Sequence, residues 1–397
     1  MIEFITQGEI MQKKIISLSL LTLLSSTIFA DSIDDAFKNG KMSGELRSYY
    51  FQEKQSDTGT SSILHYGGHF NYLTGTYYGL NLGASLQASS VGTIDGTNRF
   101  LYDEDASGAV LSESYIAYTK DNSNLKIGRQ YIGTPLLAGS GSRMIRQSFQ
   151  GYTFTNTDIS NTKLLLTYVD RFQMRTDANG NPGNFTKVFN TNRGVYERTL
   201  NDGAYSILIT NKSINNLTAN IQYLNAIDNF QSEYIDAVYN FGDISFAGQY
   251  IGTQYDTNEN DGNFLAVKVS GDFNNFNFAL ATSKTIDGDV ESGLGYGADT
   301  SFTGNDIYGG IFSYRKDAQA YKVSLGTKID KLKLGASYVF TDMKNNKSND
   351  TEIDLTASYN FTKNLKIDFL HAIIDGSEDY SRAKADSETR LKILYSF

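Results

Sequence analysis

Three histidines and no cysteine narrow the chemistry open to this chain of 397 residues. His65 and His69 share one face of an alternating stretch, four residues apart. At about 3.3 Å per residue they stand roughly 13 Å apart, too far to share a metal ion. The third is His371. Catalysis needs a nucleophile or base held by a partner, and no spacing supplies one, so neither an enzyme nor a cofactor is expected. "DTNENDG" (256–262) has the composition of a calcium loop. Its Gly262 comes one position late, however, and no glutamate follows in register. "GLGYG" (293–297) is a lone glycine cluster, not a nucleotide site.

What remains is charge at alternate positions. In "RLKILYSF" (390–397), Arg390 and Lys392 interleave with Leu391, Ile393 and Tyr395. Arg47, Lys126, Lys268, Lys322, Lys333 and Lys366 stand in the same relation to apolar neighbours. Cations fixed along one face of a strand bias which ions and solutes pass that face. The plainer reading of any single one is a wetted position paired with a carboxylate. Glu45, Asp354 and Asp368 share the face and dilute its charge. A collective role would lie where Arg47 on the first strand meets Arg390 and Lys392 on the last.

The elements that carry these residues are strands. "YYGLNLGASLQAS", "KLKLGASYVF" and "EIDLTASYNF" each alternate apolar and polar residues over about ten positions. Junctions alternate too. Short ones such as "KDNSN", "TDISN", "SINN", "FGD" and "GDFNN" are rich in Asn, Asp and Gly, as tight hairpins require. Longer polar connections separate them. Eight short turns and nine long loops make eighteen antiparallel strands, the layout of a transmembrane β-barrel. Composition agrees, with 27 Tyr, 24 Phe, 36 Gly and only 2 Pro. The formal net charge of −9 argues against a nucleic-acid partner.

"MQKKIISLSLLTLLSSTIFADS" reads as a secretory signal with a basic start and a short apolar core. The expectation is a signal peptide over residues 1–30, translation beginning at Met11, cleavage after Ala30, and a barrel over 31–397. Alternation alone fits a soluble sandwich as well. Aromatics near strand ends (Tyr50, Phe70, Tyr72, Tyr338, Phe340, Tyr359, Phe361) and inner faces of Gly, Ser, Asn, Gln and charge favour a barrel in lipid. Leu165 and Leu208 fall on the inner parity and Arg129 on the outer. An eighteen-strand barrel is too wide for side chains to fill, so an aqueous channel follows unless loops fold in.

The stretch 125–172 resembles the OprD-like family of outer-membrane porins. "KIGRQ", "TPLL", "SRMI", "SFQGYTFTN", "DISNT" and "YVDRF" stand in family order. The start "DSIDDAFKNGKMSGELRSYYF" is similar to that family's first strand. The resemblance implies a Gram-negative outer membrane, and a third long loop, 131–149, folded into the lumen as a constriction. It implies that Arg143 of "SRM" and Arg129 of "GRQ" lie at or near the narrowest point, with Arg146 on the same loop. It also implies a file of basic residues that guides carboxylate-bearing solutes. Gly139, Ser140 and Gly141 precede "SRM" where the family has a more polar, often acidic residue. The terminal Phe397 looks like the mark read by the barrel-insertion machinery. The expected function is a passive channel for small hydrophilic solutes. The alternative is a surface barrel whose long loops, 173–203 and 284–306, bind host or surface partners. Monomer and homotrimer both stay open.

Overall fold

The computed structural model describes residues 31–56, 59–96, 106–177, 180–191, 197–344, 348–376 and 385–397. The signal segment expected at 1–30, with its start at Met11 and its cleavage after Ala30, lies outside the described residues. A short helix, α1 (Ile33–Lys38), is capped by Ser32, whose hydroxyl accepts from the Asp35 amide. Seven strands follow: β1 (Lys41–Gln55), β2 (Gly59–Leu73), β3 (Leu80–Asp95), β4 (Gly108–Lys120), β5 (Ser123–Gln130), β6 (Ser148–Asn156) and β7 (Thr162–Gln173). Three short pieces occupy the next connection: β8 (Phe185–Thr186), β9 (Val188–Asn190) and β10 (Glu197–Thr199). Eleven strands complete the wall. They are β11 (Ala204–Asn211), β12 (Leu217–Ala226), β13 (Phe230–Phe241), β14 (Ile244–Tyr255), β15 (Gly262–Phe273), β16 (Phe276–Ile286), β17 (Ala318–Ile329), β18 (Leu332–Met343), β19 (Ser348–Asn360), β20 (Leu365–Asp375) and β21 (Ala385–Ser396).

Each wall strand pairs antiparallel with the next, β7 with β11, and β21 returns to β1, closing an eighteen-strand barrel. The tight turns need left-handed backbone at one residue. Asp121, Asn161, Asn216, Gly242, Asn274 and Asp330 supply it with φ of +49° to +63°. At the opposite end the strands run further. The β12–β13 connection is only 227–229, while 131–147, 174–203 and 287–317 are long.

The apolar parity faces outward. Leu86 is 45% exposed, Ile116 42% and Leu325 60%, although all three lie well inside their strands. A water-soluble sandwich would bury that face; only lipid accounts for a continuous outward belt of Leu, Ile, Val and Tyr. The inward parity carries Gln87, Thr167, Gln222, Gln249, Thr253 and Asp354, all buried. Leu165 and Leu208, which the sequence put on the inner parity, are direct cross-strand partners on β7 and β11, so each covers the other.

The largest apolar cluster lies inside the barrel. Leu136, Leu137, Phe149, Phe172, Phe189, Leu224, Phe230, Phe264, Leu294 and Tyr314 form it. These residues come from inward faces of β6 to β15 and from the three long connections. Loops therefore fill one side of the lumen, while the seam side, where β21 meets β1, sets charged residues beside a smaller apolar cluster of Tyr49, Phe51, Ile63 and Met144.

Candidate functional site

The third loop folds into the lumen as a short hairpin. The Gly139 amide donates to the Ile132 carbonyl at 3.0 Å and the Gln147 amide to the Ser140 carbonyl at 3.0 Å. Wall side chains hold it. Gln222 on β12 accepts from the Leu136 amide (3.0 Å) and donates to the Thr134 hydroxyl (2.8 Å). Gln87 on β3 accepts from the Arg146 amide (2.8 Å) and donates to the Arg146 carbonyl (2.9 Å). Both glutamines are buried, so each bond is made where water does not compete.

A second loop, 287–317, folds in beside it. The Leu294 amide donates to the Leu136 carbonyl, and the Ala138 amide to the Leu294 carbonyl, each at 3.0 Å. The Glu291 carbonyl accepts from the Ser232 and Thr253 hydroxyls. The segment 284–306, read from the sequence as a long loop able to bind partners, thus begins with the last three residues of β16 and then folds into the lumen. The connection 174–203 contributes as well, since Phe189, Asn190, Thr191 and Leu200 are buried.

The tip of the third loop reaches the seam. Arg47 on β1 donates to the Arg143 carbonyl at 2.5 Å, and Lys392 on β21 donates to the Ser142 carbonyl at 2.5 Å. Lys392 also lies 5.1 Å from the Tyr49 ring centre, and Arg143 lies 5.6 Å from that of Phe51. Arg390 pairs with Glu388, and Arg47 pairs with Glu45 at 2.6 Å. Four cations (Arg47, Arg143, Arg390, Lys392) and two carboxylates therefore share one patch. Burial, and after it the charge of Arg390, pulls the Arg143 guanidinium below its ordinary value. An arginine in such surroundings stays charged, and its field is strong because little water screens it.

Two arginines flank the patch. Arg146 stacks on Tyr131, 4.1 Å from its ring centre. Arg175, just past β7, donates to the Ser140 (2.8 Å) and Ser142 (3.2 Å) hydroxyls. Sequence reading missed Arg175, because it follows the end of a strand and belongs to no alternating series. An acidic edge was also missed as a unit. Asp306, Ile307 and Tyr308 of the second inward loop donate their amides to Asp354 and Glu352 on β19, at 3.2, 2.9 and 3.4 Å. Burial, then the neighbouring Asp354, pushes the Asp306 carboxyl above the usual carboxylate range.

The other basic positions divide by place. Lys366 pairs with Asp368 at 2.6 Å near the periplasmic end of β20, and Lys333 lies near the same end of β18. Lys268 lies 4.5 Å from the Phe302 ring centre, and Lys322 donates to the Gly304 carbonyl, so both face the second inward loop. Lys126 sits 4.0 Å from the Tyr115 ring centre on the opposite wall. Arg129 corrects an expectation. It is not at the constriction but on the outer face, in line with the exposed Leu125 and Ile127. There its guanidinium covers the Phe185 ring at 4.3 Å and donates to the Leu111 carbonyl at 3.4 Å. Those contacts supply the neighbours an outward arginine needs, since an unaccompanied one at mid-depth costs about 2–4 kcal/mol. Among the described residues no group of three His, Cys, Asp or Glu is placed to hold a metal ion.

A closed wall with an apolar outside, a polar inner parity and two long loops folded into its lumen is the build of an outer-membrane channel. A family model described as outer membrane porin, OprD family, matches residues 116–397, and the chain belongs to that family. It is a porin of the Gram-negative outer membrane that passes small solutes. Similar solved structures share the fold. Pseudomonas aeruginosa OpdO aligns with TM-score 0.76 at 17% identity, over 92% of this chain and 98% of that one. Acinetobacter baumannii OccAB1 gives 0.76 at 14%, over 94% and 99%. P. aeruginosa OpdK, solved with vanillate, gives 0.75 at 17%, over 91% and 99%. No curated protein matches the chain.

Proposed function

We propose that this porin favours solutes carrying a carboxylate, and that the seam patch with the tip of the third loop is its filter. The observation that carries the reading is the grip of Arg47 and Lys392 on the carbonyls of Arg143 and Ser142. It places a guanidinium from the loop beside cations from both ends of the chain. A carboxylate entering the passage meets an excess of positive charge in a low-dielectric wall, where field lines concentrate. Lys333 and Lys366 continue the positive file toward the periplasmic mouth. Asp306, Glu352 and Asp354 form a contrasting edge, suited to orienting a solute that also carries a donor group. OpdK is solved with vanillate, an aromatic carboxylate, which makes that class the natural probe. Liposomes bearing the purified porin should swell faster in sodium vanillate than in uncharged vanillyl alcohol. Equal rates would reject the carboxylate preference while leaving the porin intact.

A further inference from the structure

We propose that the outer wall between β13 and β16 carries a docking site for one phosphate-bearing lipid of the outer leaflet. The lipid-facing parity there loses bulk along one hydrogen-bonded row, Ala237–Gly248–Val267–Thr282. A side chain added at Gly248 would meet nothing within 4 Å, so the wall is open at that point. The result is a shallow trough, open to the outside, of about 650 Å³, with Tyr250 and Leu265 among the residues that line it. Ala336, a small outward residue elsewhere in the belt, is flanked in its own row by Leu325 and Leu355. Here an acyl chain can lie below the general surface and gain contact on more sides.

Lys284 closes the upper end of the trough. It is the cross-strand partner of Leu265, it points outward, and it is exposed. Among the described residues no carboxylate pairs with it. The periplasmic turns set a common floor, so height can be counted along each strand. Lys284 is the ninth residue of β16, about 20 Å above that floor at a strand tilt near 40°. The apolar belt of such a barrel is about 25 Å tall. The ammonium group therefore reaches the headgroup level of the outer leaflet, where it meets phosphate, while the trough below meets the tails. A cation at that boundary with no carboxylate partner among the described residues, above an apolar trough, matches a lipid with an anionic head.

The test uses the whole purified porin in detergent, titrated with hexa-acylated lipid A and read by native mass spectrometry. One lipid A is expected to stay on each wild-type chain. Lys284→Gln and Gly248→Leu should each weaken retention by about fivefold, with conductance and heat-modifiable gel mobility unchanged, since neither residue touches the lumen. Equal retention by all three proteins would overturn the proposal. So would loss of a multi-chain species in Gly248→Leu without loss of lipid, which would make the trough a contact between copies.

Discussion

Arg47 and Lys392 each bring to the lumen a hydrogen bond to the third loop and a positive charge, and the two can be tested separately. Arg143 is bound by its carbonyl, so changing its side chain leaves the strap in place. Arg143→Gln should shift the reversal potential in a salt gradient toward cations, lowering the anion-to-cation permeability ratio about twofold, at nearly unchanged conductance. Lys392→Gln removes a charge and also a bond to the loop, so the same shift should come with noisier open-channel current. Equal noise in the two variants would show that the bond to Ser142 does not hold the loop. Asp306 gives a pH dependence whose sign follows from its surroundings. Its carboxyl is pushed above the usual range by burial and then by Asp354. As pH falls it therefore protonates before ordinary carboxylates do, and one negative charge leaves the lumen. Anion preference should rise on acidification through the weakly acidic range, and Asp306→Asn should flatten that rise. Individual inward cations were legible in the sequence because parity alone assigns a face. Arg129 teaches the same lesson from the other side: motif likeness drew it to the constriction, its parity pointed outward, and the structure follows parity.

Strands and inward loops differ in how far sequence alone reveals them. A barrel strand carries its signature locally, since alternate residues face lipid and lumen, and all eighteen strands fall where alternation sets them. The turns are equally local, because only a few residue types accept positive φ. The loop 287–317 has no such period. Leu294 joins Leu136 and Ala138, and Glu291 answers Ser232 and Thr253, contacts that exist only once the wall has closed. The third loop was legible only through its resemblance to a family motif. Its hairpin is close-packed at Gly139, where an added Cβ would lie 2.4 Å from the Gln147 carbonyl oxygen. Gly139→Val should disturb the loop at a cost of about 1–3 kcal/mol while leaving the wall, which shares few of these bonds, folded. The expected readout is higher single-channel conductance with weaker ion selectivity at unchanged heat-modifiable mobility. Unchanged conductance would mean that the loop does not set the narrowest cross-section.

Closure is the property of the whole molecule, and its last residue tests how closure is reached. β21 pairs with β1 along nearly its full length, with Tyr49 opposite Lys392 and Leu46 opposite Tyr395. Phe397 extends that ladder by exchanging two backbone bonds with Gly44, at 3.0 and 3.1 Å. Its ring packs 5.7 Å from that of Phe70 and remains 43% exposed at the periplasmic rim. Removing it deletes two hydrogen bonds and two aromatic contacts, with Phe70 and Tyr395, about 2–4 kcal/mol together. Against a wall stitched by eighteen strand pairings, that loss is too small to unfold the barrel. The chain lacking Phe397 should therefore refold in detergent micelles to the same heat-modifiable form as wild type. If the insertion machinery reads the terminal aromatic, the same chain should reach the outer membrane of living cells in much lower amount, and a Phe397→Tyr variant should restore it. Failure in both settings would make Phe397 a structural residue and nothing more. Normal assembly in both would leave the terminal ring without a role in targeting. Only a loss confined to the cell identifies the end of the strand as an address, distinct from the seam that the same strand closes.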